Sequence, residues 1–395
     1  GNVTFWSRSR KKLWMKGART ARGPVAQWLW ADTRQQVPGL SLALMALLLA
    51  LSANVGVGTM VGSFRTTFTG WLDQRLAAEL YLTAADEAQA EALLTYLQPR
   101  ADAILPIVSA EVTLQDLPAD VYGVADHATY RENWPLLDAV PDLWDRLAAG
   151  EGALVNEQSA RRHDLWPGNT VDLGAAGERI VLGVYSDYGN PQGQAILGLS
   201  DFDAAFPDTP RLRYALRVPP GDIAALRDEL AVRFALPPER LIDQAGIKRF
   251  SLDVFEQTFA VTAALNVLTL GVAAFALWAS LTTLAGMRLP QIAPVWALGL
   301  TRRRLAVADL GRALALAGAT ALLAVPVGVA LAWVLLAVVN VQAFGWRLPL
   351  LADPSGWIAL GLWALVAAGL AAALPAWRLW RMPPADLVKV FAHER

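Results

Sequence analysis

His127 and His163, a dense set of carboxylates and several serines are the side chains between residues 65 and 256 suited by type to proton transfer or acyl attack. Their spacing does not assemble that chemistry. No serine sits in the G-x-S-x-G elbow that exposes a nucleophile at a strand-to-helix turn, and no H-E-x-x-H occurs to hold zinc beside a general base. His163 stands in SARRHDLWPG, a helix end running into a Pro-Gly turn, where a surface histidine is expected. Cysteine is absent, which removes thiol nucleophiles, thiolate ligands and disulfides. The carboxylates lack calcium-loop spacing, so their excess is read as serving solubility and topology. No catalytic residue, metal ligand or cofactor is assigned. A different feature stands out in VWALGLTRRRLAVADL (295–310), where Arg302, Arg303 and Arg304 are consecutive between two long uncharged runs.

The elements that must position this arginine knot are membrane spans. The chain of 395 residues is 55% hydrophobic and 17% charged, against about a quarter charged in an ordinary soluble domain. A helix needs about 20 apolar residues to cross hydrocarbon, and four segments qualify: 38–63, 257–287, 313–346 and 355–377. The second and third exceed the bilayer thickness and are expected to tilt or to project beyond it. Pro326 is expected to kink the third. Trp357 and Trp377 bracket the fourth about 30 Å apart along a helix, as interfacial tryptophans do.

Charge sets the orientation. Residues 1–34 hold eight Lys/Arg against Asp32, residues 288–312 hold five arginines against Asp309, and the 378–395 tail holds four Lys/Arg against two acids. The 65–256 segment holds 16 basic and 30 acidic residues, a net of −14. Cationic flanks stay in the cytoplasm. Both termini and the 288–312 loop are therefore expected inside, with 65–256 outside. Within the basic 1–34 segment, PVAQWLWADTRQQ reads either as a helix lying in the interface or as a plain linker.

The outer segment is long enough for its own core. AELYLTA, ADEAQAEALLTYLQP and AILPIVSAEVTL read as strand, helix and strand, and LRYALRV followed by PPGDIAALRDELAVRFALPP begins a second such unit, with Ile223, Leu226 and Leu230 on one helix face. Between them, about 113–205, lie short strands in GALVNEQ, NTVDL, ERIVLGVYS and QAILGL. The expected fold is α+β, two strand–helix–strand units with a β-rich insertion, carried by an α-helical membrane protein of four spans.

In the 288–312 loop, Gly299 permits a break before TRRRLAVADL, where Thr301 can cap a helix whose arginines stay wet. Topology alone would account for the charge. It does not account for the apolar patch Ile292, Val295, Trp296, Leu298 and Leu300, which in a short exposed loop marks a contact surface. RLPQIAPVWALGLTRRRL resembles the R-R-x-E-I-A-x-L-R-A-L-G-A-x-x-x-x-I loop of FtsX-like ABC-transporter permeases, a superfamily of macrolide-export, lipoprotein-release and cell-division permeases. Agreement falls on Arg288, Ile292, Ala293, Ala297, Leu298 and Gly299. The span order and the MPPADLV tail are similar too, as is GALVNEQSARRHDLWPGNTVDL to the family's strand–helix–turn–strand pattern. The departures are Gln291 for a glutamate, Trp296 for an arginine, and Arg312 near a family glutamate.

The resemblance implies a coupling loop built from Arg288, Gln291, Ile292, Ala293, Ala297, Leu298, Gly299, Arg302 and Arg303. With no G-x-x-x-x-G-K-[ST] in the chain, it also implies a separate cytoplasmic ABC ATPase. The chain would be a multi-pass subunit of the bacterial inner membrane and not itself an enzyme. WMKGARTARGPVAQWLWADTRQQ resembles the middle of longer permeases with two such halves, so the partner within the membrane would be another half or a homodimer mate. No nucleic-acid partner is implied. The spans lack interior ionisable residues, which fits force transmission better than a hydrophilic path. Extraction or export of a lipophilic or lipoprotein-like substrate is the expected role; the alternative is a signalling subunit that activates a periplasmic cell-wall hydrolase.

Overall fold

The computed structural model describes residues 24–188, 190, 192–287, 295–297 and 299–383. Two compact units divide the chain. One comprises 1–60, 260–333 and 351–395, the other 61–259 and 334–350.

The first unit is helical. Its parts belong to α1 (Pro24–Arg75), to a helix that starts at Gln244 and ends at Met287, to another that starts at Arg302 and ends at Val334, and to a last one, Pro354–Arg381. Each contains a stretch long and apolar enough to cross a membrane. Large apolar side chains face outward (Leu42, Val261, Leu322 and Leu370 are all more than 70% exposed). Hydrocarbon solvates such a surface, whereas water would drive it to aggregate. The interior is lined by small residues: Ala43, Ala273, Ala317, Ala324, Ala364, Ala368 and Ala371 pack with Leu47, Leu51 and Leu277. Small side chains let backbones approach, which is how helices gain contact when lipid is as apolar as they are. At Gly328 a Cβ would lie 2.6 Å from the Val55 Cβ and 2.8 Å from the Ser52 carbonyl oxygen. Polar clasps add to this: Asn54 Nδ2 donates to Thr269 Oγ1 at 3.1 Å and Trp357 Nε1 to Thr59 Oγ1 at 2.9 Å.

Two expectations are corrected here. PVAQWLWADTRQQ is helix rather than a plain linker, the beginning of α1 and continuous with the first span. The helices also outrun the apolar segments, with α1 reaching Arg75 and the second long helix beginning at Gln244. The third helix includes Pro326 and continues to Val334, where a π turn follows at Leu335–Val339.

The second unit is α+β. β1 (Leu80–Thr83), α2 (Glu87–Leu97) and β2 (Ala103–Pro106) form the first strand–helix–strand unit. The chain then makes β3 (Val108–Leu114), β4 (Leu117–Val124), α3 (Ala128–Asn133), β5 (Leu136–Ala139), α4 (Leu143–Ala148), β6 (Gly152–Asn156), α5 (Glu157–His163), β7 (Thr170–Asp172), β8 (Glu178–Tyr185), β9 (Gly193–Gly198) and α6 (Leu199–Ala205). β10 (Arg213–Arg217), α7 (Ile223–Arg233) and β11 (Leu241–Asp243) complete the second unit, and α8 (Gln244–Met287) follows directly. The sheet order β11-β1-β10-β2, with every neighbour antiparallel, is a split β-α-β arrangement. Leu82, Leu93, Leu97, Leu216 and Leu230 fill the core between sheet and helices. The insertion forms its own sheet, ordered β3-β4-β9-β6-β8-β5, with β7 on β8. It begins at Val108 rather than about 113, because AILPIVSAEVTL is two strands in two sheets with only Ile107 between them.

Beyond α8 lie α9 (Arg302–Val334), the π turn, α10 (Asn340–Phe344) and α11 (Pro354–Arg381). Residues 334–350 pack within the α+β unit. The Arg347 N–H donates to Glu157 Oε1 at 3.0 Å, and Trp346 stacks on Phe64 at 5.7 Å and meets Tyr188 edge-on at 5.2 Å.

Candidate coupling site

The candidate coupling site is a turn whose two sides are built by local chemistry. Residues 295–297 are helical. That helix is closed by two backbone bonds, the Gly299 N–H to the Trp296 carbonyl at 2.9 Å and the Leu300 N–H to the Val295 carbonyl at 3.4 Å. This is the Schellman pattern, with glycine at the left-handed position and an apolar contact across it. Gly299 supplies the positive φ of +102°, which a side-chain-bearing residue adopts only with strain. Two residues later, Thr301 Oγ1 accepts the Arg304 N–H at 3.4 Å and opens α9, as an N-cap should.

The turn is anchored from below. Val295, Trp296 and Leu300 are half-buried against Leu305, Ala306 and Leu379, with Trp28 of α1 in the same cluster. The apolar patch expected to lie open is therefore partly covered by the chain itself. Arg302 is half-buried and donates to the Met382 carbonyl oxygen beyond α11. Exposed around this anchor are Ala297, Gly299, Arg303 and Arg304. Among the residues assigned from the sequence, Ala297, Gly299, Arg302 and Arg303 come together on this turn, while Arg288, Gln291, Ile292, Ala293 and Leu298 lie outside the described residues.

Sequence reasoning missed the charged group behind the turn. Arg312 Nη1 donates to Asp32 Oδ2 at 2.5 Å and Nη2 to Asp309 Oδ1 at 2.9 Å, while Gln36 Nε2 donates to Asp32 at 2.9 Å. The Arg312 and Asp32 side chains are only 7% and 5% exposed. Buried charge is tolerated when it is paired and hydrogen-bonded; Asp32, counted from sequence as one acid among basic residues, is the counter-ion of a residue 280 positions away. Arg312, Asp309 and Gln36 line a cavity of about 250 Å³ with Thr282, Pro375 and Arg378. The one legible signal was that Asp32 and Arg312 adjoin spans otherwise free of charge.

The two histidines of the α+β unit both lie at helix ends. His127 Nδ1 accepts the Thr129 N–H at 3.2 Å and caps α3. His163 ends α5, where burial and the neighbouring Arg162 push its pKa down.

Four membrane-length helices joined to an α+β unit make this a multi-pass membrane protein. Residues 263–384 match the family model described as FtsX-like permease C-terminal, and the chain carries an FtsX-like permease region over those residues. It is also homologous to an uncharacterized ABC transporter permease protein of Mycobacterium tuberculosis, 28% identical over 380 residues. That match covers 91% of this chain and 44% of the relative, so the chain spans less than half the length of the curated relative it matches. Among solved structures, the periplasmic region of MacB from Actinobacillus actinomycetemcomitans aligns with TM-score 0.32 and 13% identity, covering 44% of this chain and 91% of that one. The extracellular domain of the noncanonic ABC-type transporter YknZ from Gram-positive bacteria aligns with TM-score 0.30 and 11% identity, covering 42% and 98%.

Proposed function

We propose that this chain is the permease part of an ABC transporter, with both termini and the 295–304 turn in the cytoplasm and the α+β unit outside. A separate cytoplasmic ATPase docks on the turn through Ala297, Gly299, Arg303 and Arg304, together with the assigned residues Arg288, Gln291, Ile292, Ala293 and Leu298. Movement of the turn is carried by α9, whose continuation, residues 334–350, packs within the α+β unit. The work is done on a lipophilic or lipoprotein-like substrate at the outer face. A second permease half, or a second copy, completes the membrane part; the relative's greater length supports this.

The observation that carries the reading is the anchored turn. A rigid, glycine-closed corner, fixed to α1 and α11 by Trp28 and Leu379, presents cations outward at the start of a long helix. A floppy loop would absorb a push, whereas this one transmits it. The test is Gly299→Val, which forces an unfavourable φ without touching charge. Co-purification with the cognate ATPase and stimulation of ATP hydrolysis should both fall at least tenfold. Undiminished stimulation of hydrolysis by this variant would remove the turn as the coupling element.

A further inference from the structure

The α+β unit contains a cavity of about 360 Å³ that the coupling reading does not use. Its wall takes Tyr81 from β1, Tyr122 from β4, Tyr130 from α3 and Arg213 from β10, with Trp134 beyond α3 and Arg75 at the end of α1. The two sheets thus both contribute. A volume of this size falls in the range of small-molecule sites, and such sites combine an apolar lining with few polar groups.

Three details point to the kind of occupant. The Arg75 guanidinium carbon lies 4.3 Å from the Trp134 ring centroid and 6.0 Å from that of Tyr185. It is held by aromatic faces, and among the described residues no carboxylate lies within ion-pair distance of it. Second, Trp134 Nε1 is buried without a hydrogen-bond partner among the described residues; buried donors are nearly always satisfied, so an orphan asks for an acceptor. Third, Tyr81 accepts the Ala78 N–H at 3.3 Å and keeps its own O–H to donate. Burial pushes the Tyr81 pKa up to about 12, so it stays a neutral donor. Of the charged residues on the wall, Arg75, Arg213 and Arg240 outnumber Glu239.

We propose that this cavity binds an amphipathic anion, its carboxylate or phosphate head on Arg75 and the Trp134 N–H and its hydrocarbon or aromatic body among Tyr81, Tyr122 and Tyr130. Arginine stacked on aromatic rings retains its in-plane N–H fork for an oxyanion, and aromatic walls match an apolar tail. The site stands on the geometry of the α+β unit and not on how the chain is powered.

The experiment uses the full chain in nanodiscs, with radiolabelled octyl phosphate and octanoate as probes and empty nanodiscs subtracted. Saturable binding of at least one anion is expected, competed by the unlabelled anion and not by octanol or octylammonium. Preference for one probe identifies the head group. Arg75→Gln should weaken binding at least tenfold, and Trp134→Phe, which keeps the ring and removes the N–H, severalfold. Each variant is checked by its elution profile and thermal midpoint; if Arg75→Gln fails to fold, Trp134→Phe decides. No saturable binding above empty nanodiscs, equal competition by octanol, or wild-type affinity in a folded variant would overturn the assignment.

Discussion

Asp32 and Glu157 are both carboxylates buried to within a few per cent, one in each unit of the molecule, and they are satisfied in opposite ways. Asp32 takes its cation from Arg312, itself buried and 280 residues away. Glu157 takes Arg161 from the next turn of the same helix at 2.7 Å, with that arginine 31% exposed, and its long-range partner is a neutral backbone N–H on Arg347. The first pair joins two helices by charge withdrawn from solvent. The second balances its charge locally and brings the Arg347 N–H to the same oxygen, Oε1, which holds the 334–350 connector, while its Oε2 is buried without a hydrogen-bond partner among the described residues. A buried acid can thus act as a closed ionic tie or as a hydrogen-bond latch, and the difference lies in where its cation stands.

The sharpest way to break the comparison is Arg312→Leu. Removing one partner of a buried pair costs about 3–5 kcal/mol, and the thermal midpoint of the purified chain should drop accordingly. Adding Asp32→Leu should recover part of that loss, because the more buried of the two carboxylates on Arg312 goes too while Asp309 stays; a double variant no better than the single would show the pair is not a closed tie. The latch should be weaker. Glu157→Ala leaves the Arg347 N–H without its acceptor, worth about 1–3 kcal/mol, while Arg161 can turn to water. Protease sensitivity of residues 334–350 should rise in this variant.

Packing between helices gives a control independent of charge. Gly328→Ala places a methyl 2.6 Å from the Val55 Cβ and should cost about 1–3 kcal/mol by overpacking. Gly58→Ala meets nothing within 4 Å and should shift the midpoint by less than about 0.5 kcal/mol. A pH-dependent effect is expected at Asp353, whose carboxylate accepts the Gly356 N–H at 3.1 Å and caps α11. Its bond from Ser355 holds its pKa below the ordinary value. A depressed folded-state pKa stabilises above the unfolded value and is lost as pH falls through the folded one. Asp353→Ala should therefore be less stable than the parent at pH 7, by about 0.5–2 kcal/mol. The gap should close in melts below about pH 4.

Much of this was legible in sequence. Thirty uncharged residues in a row leave a helix few alternatives, and alternating and helical spacings in 80–97 and 213–230 marked two strand–helix–strand units. The boundaries were not legible, because helices persist through polar residues once packing holds them: nothing in Lys248 or Asp73 announces the ion pair between α8 and α1 at 2.5 Å. The insertion's start was hidden by the lone residue Ile107. At the candidate site, Gly299 and Thr301 could be read, since cap chemistry is local. Whether Trp296 faced a partner or Leu379 could not, because cover comes from residues distant in sequence. That Asp32 pairs with Arg312 was hidden for the same reason.

The π turn at 335–339 has a consequence for angle rather than length. A regular helix advances about 100° per residue, and a wide turn of this kind accommodates one residue beyond the α spacing. Unit membership changes between Trp333 and Val334, beside this turn. Excising a single residue there would rotate the chain after it by roughly a quarter-turn about the axis, carrying Trp346 off Phe64 and Tyr188 while every apolar side chain upstream kept its azimuth. The extra residue acts as a phase shifter, letting one helix present different meridians to two environments.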